Sequence, residues 1–141
     1  MKPIATSILT LFFCSLASLS FFPVTAHAVE KTIDLSGVVC SKSSGLTCRP
    51  KYRTRLRTGK VLQVQYTASA QHCSQIIVRF FVDGKLKRST GALNPGEASI
   101  VYRIRGLTAG RHTLSLQAVG VVGGCNTGYT ASWTGSLYVK S

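Results

Sequence analysis

The sequence has very few acidic residues, since Asp and Glu together number 4 in a chain of 141. Glycoside hydrolysis needs two carboxyl groups flanking the scissile bond, and the spacing of Glu30, Asp34, Asp83 and Glu97 places no such pair. The nucleophile motifs G-x-S-x-G and S-x-x-K are also absent. The sequence therefore predicts no catalytic residues and no enzyme. A catalytic triad assembled from separate loops is the alternative that these motifs do not exclude.

Methionine is equally scarce, because Met1 is the only one. Copper sites in β-sandwiches commonly use a soft axial methionine, and the irregular cysteine spacing without C-x-x-C does not favour structural zinc. His72 beside Cys73 is therefore interpreted as a loop residue, and His112 as a corner residue whose ring hydrogen-bonds a turn. We predict neither a metal nor a cofactor.

The N-terminal segment lacks the uninterrupted apolar run of about 20 residues that a membrane-spanning helix needs. Ser and Thr interrupt Ile4–Phe22, and the small residues of Ala26-His27-Ala28 match a signal-peptidase site. We predict a cleaved signal peptide at residues 1–28, one domain at residues 29–141, and a secreted or periplasmic protein without a transmembrane segment after cleavage. An uncleaved anchor and a lipid anchor are the alternatives.

Helical periodicity is missing from the rest of the chain, where apolar and polar residues alternate with a period of two. Such alternation, with glycine turns between the segments, is typical of strands. About seven strands are predicted, with a tight Asp83-Gly84 hairpin turn. The residues expected to face the core are Ile33, Leu35, Val39, Leu62, Val64, Tyr66, Ala68, Ile76, Val78, Phe80, Val82, Ile100, Tyr102, Ile104, His112, Leu114, Leu116, Ala118, Ala131, Trp133, Leu137 and Val139.

The segment Gly106–Leu114 resembles the corner between strands E and F of bacterial immunoglobulin-like and fibronectin-III-like domains. In such a corner a Leu closes the end of the sandwich and a Gly turns the chain. The segments His72–Ser74, Phe81–Gly84 and Gly123–Gly128 are similar to parts of small secreted bacterial proteins of unassigned role. The resemblance implies an all-β fold, a single immunoglobulin-like or fibronectin-III-like β-sandwich, but no particular activity.

Four cysteines follow the predicted cleavage site, and in an oxidising compartment they are candidates for disulfides. Four cysteines allow three pairings. In a sandwich of this strand order, the loop after the second predicted strand and the loop before the last one lie at the same end. We therefore predict Cys73–Cys125, with Cys40–Cys48 closing a local loop.

The most unusual segment is the basic strip, residues 49–60. In an extended chain its alternate residues project from one face at intervals of about 6.7 Å. We predict that this face binds an anion through Lys51, Arg53, Arg55 and Arg57, with Tyr52 available to stack on a base or a sugar. A second interpretation is that the charges only protect an exposed edge strand from aggregation.

A formal net charge of +13 attracts polyanions. The leading hypothesis is a secreted, non-enzymatic binding or structural protein that associates with an anionic surface or a partner protein. The possible polyanions are an envelope glycan, an anionic lipid surface and nucleic acid. The alternatives are a carbohydrate-binding or adhesion module that uses loop aromatics such as Tyr129, and an inhibitor-like or toxin-like effector with a disulfide-braced loop.

Overall fold

The computed structural model describes residues 29–49 and 51–141. This part contains one turn of 3₁₀ helix (Lys42–Ser44) and the strands β1 (Glu30–Val39), β2 (Tyr52–Thr58), β3 (Val61–Ala68), β4 (Ile76–Val82), β5 (Lys85–Ser89), β6 (Tyr102–Arg105), β7 (Gly110–Gly120) and β8 (Ser132–Lys140). The predicted signal peptide, residues 1–28, lies outside the described residues. None of the described helical structure is long and apolar enough to cross a membrane.

The strands form two antiparallel sheets, with the orders β1-β8-β3-β6 and β2-β7-β4-β5. The first strand pairs with the eighth, the second with the seventh, the third with the sixth and the fourth with the fifth. This is the order of a jelly roll, a long antiparallel hairpin rolled into two facing sheets. The predicted all-β sandwich is confirmed, and its eighth strand is β2, which carries the basic strip.

The strand order refines the predicted class. An immunoglobulin-like sandwich has the sheets ABED and CFG, whereas here successive strands change sheets at every step except from β4 to β5. The immunoglobulin-like and fibronectin-III-like resemblance therefore extends to the sandwich and to one corner, but not to the connectivity. At that corner Leu107 is 9% exposed and belongs to the core, as a closing Leu should.

The core lies between the two sheets and follows the predicted alternation along most strands. In β3 and β4 every second residue is buried, from Leu62 to Ala68 and from Ile76 to Val82. Trp133 of β8 is 1% exposed and packs edge-on against Tyr66, with the ring centroids 5.8 Å apart. Trp133 is thus a core residue.

Three residues predicted to face the core are exposed instead. Val39 is 75% exposed because a bulge between Leu35 and Val38 reverses the alternation of β1, so that Val38 packs on the core. Ile100 is 72% exposed because it precedes the start of β6. Ala131 is exposed and likewise precedes β8. Sequence alternation holds only inside regular strands, and these three residues lie beyond a bulge or outside a strand.

The loops β1–β2, β3–β4 and β7–β8 meet at one end of the sandwich, here called the loop end. Both predicted disulfides are present there: Cys40–Cys48 within the first loop and Cys73–Cys125 between the other two, with Cα atoms 5.0 Å and 5.7 Å apart. The backbone N–H of Cys40 donates to the carbonyl of Ala131 at 2.8 Å. Disulfides persist in oxidising compartments, so the covalent framework indicates such a compartment.

Candidate functional site

The basic strip forms β2, an edge strand whose partner is β7, from Tyr52 opposite Leu116 to Thr58 opposite Gly110. Successive side chains of a strand point to opposite faces. Arg53, Arg55 and Arg57 are exposed, whereas Tyr52 and Leu56 are half-buried and pack on the core. The structure therefore brings the predicted arginines together on the outer face. The prediction that Tyr52 can stack on a ligand there is wrong, because its parity turns the ring inward.

The outer face of the sheet β2-β7-β4-β5 extends this charge beyond β2. Arg57 lies directly opposite Arg111 of β7, and both side chains are exposed. Like charges directly opposite each other in an antiparallel pair are destabilising. Arg79 of β4 is paired with Gln117 of β7, and its side chain points to the same outer face. The face thus carries five arginines on three adjacent strands, and an anion would relieve their mutual repulsion.

A groove of about 910 Å³ opens on this face, between the β2 side and the β4–β5 side. Its cationic lining is Arg49, Lys51, Arg53 and Arg79, and its remaining lining is Thr47, Gln117, Phe81 and Leu86. The Nζ atom of Lys51 lies 3.5 Å from the centroid of the Phe81 ring. That cation–π contact holds the predicted anion-binding Lys51 on the same face as the arginines.

Acidic residues are absent from β2, β7, β4 and β5. Asp83, in the turn between β4 and β5, is the acid nearest this sheet in the chain, and its carboxylate is already engaged by His112 Nδ1 at 2.6 Å and by the N–H of Thr113 at 2.9 Å. The other ion pair among the described residues joins Lys140 to Glu30 at 3.2 Å, on the opposite sheet. The arginines of the outer face are therefore not neutralised by the protein's own acids.

His112 and Asp83 resemble a catalytic pair in composition, but their hydrogen bonds indicate a structural role. Nε2 of His112 lies 2.8 Å from the carbonyl of Thr108, so both ring nitrogens have acceptors. The hydrogen bond to the Asp83 carboxylate raises the pKa of His112, and the same bond lowers the pKa of Asp83. Because Asp83 and the Thr108 carbonyl engage both ring nitrogens, neither nitrogen is free to accept a proton from a substrate. The predicted corner role of His112 agrees with this geometry.

His72, Tyr129 and Trp133 line a depression of about 320 Å³ at the loop end. Nε2 of His72 accepts the N–H of Thr134 at 3.0 Å, and burial lowers the pKa of this imidazole. The hydroxyl of Tyr129 donates to the carbonyl of Cys40 at 2.9 Å, and the residue is half-buried. Both side chains therefore hold loops together. Among residues 29–49 and 51–141, no three His, Cys, Asp or Glu side chains are grouped as a metal site would need.

Sequence reasoning found the β2 side of the groove and missed its other wall. Arg79 and Phe81 share the outward parity of β4, and that alternation was the available signal. Their proximity to Arg53 could not be read from the sequence, because it depends on β7 lying between β2 and β4. The row Arg53, Ser115, Phe81 and Leu86 crosses all four strands.

No protein-family model matches the sequence, and no curated protein matches it significantly. Similar solved structures include the VP2 subviral particle of infectious bursal disease virus, with 15% identity over 94% of this chain and a TM-score of 0.48. This chain spans 37% of the viral chain. The CBM36-1 domain of a multidomain xylanase from the hindgut metagenome of Trinervitermes trinervoides has 10% identity over 79% of this chain and 96% of its own, with a TM-score of 0.48.

A family 35 carbohydrate-binding module from Clostridium thermocellum has 12% identity over 79% of this chain and 90% of its own, with a TM-score of 0.38. Sandwich folds of this kind host many unrelated functions. The fold class therefore rests on the strand order.

Proposed function

We propose that the protein is an exported, non-enzymatic binding module that attaches to an anionic polymer or surface through the outer face of β2-β7-β4-β5. The observation that carries this proposal is the set of five arginines on one face, on strands that contain no acid. Guanidinium groups match carboxylate, sulfate and phosphate oxygens through paired N–H donors. A face built in this way gains most from a ligand with several negative charges.

Protection of an edge strand explains only part of this charge. Edge strands are often protected by Lys and Arg, and β2 is an edge. However, Arg111 lies on β7 and Arg79 on β4, which are the two interior strands of the sheet. Charges on interior strands protect no edge, so a ligand accounts for them better than aggregation resistance does.

Two further observations support the rest of the proposal. Both disulfides favour an oxidising compartment, which the predicted signal peptide would provide. The alternative of a neutral-sugar site built on Tyr129 is disfavoured, because its hydroxyl and half-buried ring already connect two loops. A polyanion on the basic face is the function that the geometry supports best.

The test compares two double variants that each remove two arginines from an exposed edge strand. Arg53→Ser with Arg55→Ser changes β2, and Arg103→Ser with Arg105→Ser changes β6 of the other sheet. On a heparin column the β2 variant should elute at clearly lower salt than the protein, because screening shortens the Debye length from about 10 Å at 0.1 M to about 3 Å at 1 M. The β6 variant should shift much less.

Both variants have the same net charge, so their difference reports on location alone. Equal shifts would show that the attraction is a property of net charge and not of the basic face. If the β2 variant eluted at an unchanged salt concentration, the arginines of the basic strip would serve only to protect an edge strand from aggregation. Emission of Trp133, the single tryptophan of the chain, checks that each variant remains folded.

A further inference from the structure

The groove differs from the open row of arginines beside it. Arg49, Lys51 and Arg53 line its β2 side, and Arg79 lines its β4 side. Adjacent strands lie about 4.8 Å apart, so β2 and β4 are separated by roughly 10 Å across β7. This width admits one polymer chain between the cations. Gln117 is fixed on the intervening strand β7, because its Nε2 donates to the carbonyl of Cys48 at 3.1 Å.

The groove also has an apolar end. Leu86 lies opposite Phe81 in the β4–β5 pairing and is 56% exposed. One face of the Phe81 ring is occupied by Lys51. The site therefore offers several cations near an apolar shelf, and Lys51 covers one face of the single aromatic ring in its lining. A suitable ligand unit carries a negative group on one side and a C–H surface on the other.

The row Arg53, Arg55 and Arg57 continues away from the groove along β2, at intervals of about 6.7 Å. Arg111 adds a cation opposite the end of that row. A single headgroup would occupy the groove and leave the row unused. A linear polyanion would use both, with one unit in the groove and the following units along the strand.

We propose that the groove is the subsite for one acidic sugar unit of a linear acidic polysaccharide, whose chain continues along Arg53–Arg57. This proposal rests on the polyanion function proposed above and names the class of polymer. Arg79 and Arg53 bind the carboxylate or sulfate of that unit, and Leu86 packs against its ring. Single-stranded nucleic acid fits less well, because its binding proteins stack successive bases on several aromatic side chains, whereas Phe81 is the single aromatic residue lining this groove and Lys51 covers one of its faces.

Anionic membranes also fit less well. Peripheral binding to a bilayer uses an apolar surface that enters the lipid, and Leu86 is the one large apolar side chain among the described exposed residues of these four strands. The experiment therefore compares the three ligands directly.

The probes are a heparin tetrasaccharide, vesicles containing anionic phospholipid, and a single-stranded oligonucleotide, each titrated into the full protein at equal ionic strength. The variants are Arg79→Gln and Leu86→Ser, and Arg105→Gln on the other sheet is the matched charge control. Arg79→Gln should weaken tetrasaccharide binding about tenfold or more, as expected for a lost hydrogen bond to a charged group. Leu86→Ser, which changes no charge, should weaken it several-fold. Neither substitution should weaken binding to vesicles or to the oligonucleotide more than Arg105→Gln does.

Tetrasaccharide binding that falls equally in Arg79→Gln and Arg105→Gln would overturn the subsite. The proposed function would survive that result if the β2 double variant still lost heparin affinity. Tighter binding to vesicles or to the oligonucleotide than to the tetrasaccharide would overturn the assignment to a polysaccharide. If the β2 double variant eluted from heparin at the same salt concentration as the unaltered protein, that result would instead contradict the proposed function on which the subsite rests.

Discussion

Both ring nitrogens of His112 face acceptors, one on Asp83 and one on the carbonyl of Thr108. The protonated ring satisfies both, and its pKa is therefore raised by the bond to Asp83. The contact between protonated His112 and Asp83 therefore stabilises the folded state fully at pH values below about 6.5, the pKa of His in the unfolded chain. This stabilisation is lost as the pH rises through the pKa of His112 in the folded protein. The lowered pKa of Asp83 has the opposite dependence, so that its contribution is lost as pH falls below about 3.8.

The stability lost in His112→Gln should therefore be largest between about pH 4 and pH 6.5 and should decrease at higher pH. Denaturant unfolding of both proteins at a series of pH values measures this difference. The pKa of His72 is lowered by burial, but this residue is present in both proteins, so its contribution cancels. A difference that is independent of pH from 5 to 9 would contradict the role given to the imidazolium.

Gly135 of β8 shows how closely the backbones approach inside one sheet. A Cβ atom at this position would overlap the carbonyl oxygen of Thr67 and the ring of Tyr66. Gly135→Ala should lower the free energy of unfolding by about 1–3 kcal/mol, the usual cost of overpacking. Gly37→Ala on β1 is the control, because a Cβ there meets no atom within 4 Å. Equal unfolding midpoints for the two variants would show that β8 can move to accommodate the methyl group.

At the scale of elements, the period-two alternation was sufficient to predict most strands and their inward faces. Val64 and Phe80 are fully buried as predicted, because each lies inside a regular strand paired on both sides. The bulge before Val38 was missed, although Gly37 lies where the alternation reverses and a Gly inside a strand is a recognised signal for a bulge. The Asp83-Gly84 turn was predictable: both residues have positive φ, 49° and 79°, as a tight hairpin of this type requires.

The basic strip was found from its spacing alone, but the strand β2 that it forms was not among the seven predicted strands. The arginines that lie beside it on β7 and β4 could not be predicted from the sequence. Arg111 and Arg79 are more than twenty residues from Arg53 along the chain, and only the jelly-roll order makes β7 and then β4 its neighbours. A site that is assembled across strands depends on strand order, which local patterns do not encode.

At the scale of the whole molecule, the central feature is a face of one sheet that carries arginines and no acid. A chain with 17 Lys and Arg and 4 acids concentrates five arginines on one sheet face, while Glu30 and Asp34 lie on the other sheet. The two disulfides brace the loop end, and Cys40–Cys48 also fixes the loop that carries Arg49 at the groove. The covalent framework and the proposed binding face are thereby connected.

The most direct test of this account is to map amide chemical-shift changes while a linear acidic oligosaccharide is titrated into the isotope-labelled protein at low salt. We expect the changes to concentrate on β2, β7 and β4, with the largest near Arg53, Ser115 and Gln117, and to disappear as salt is raised. Changes centred on the loop end around Cys73 and Tyr129, or on β1-β8-β3-β6, would contradict the assignment of the binding face.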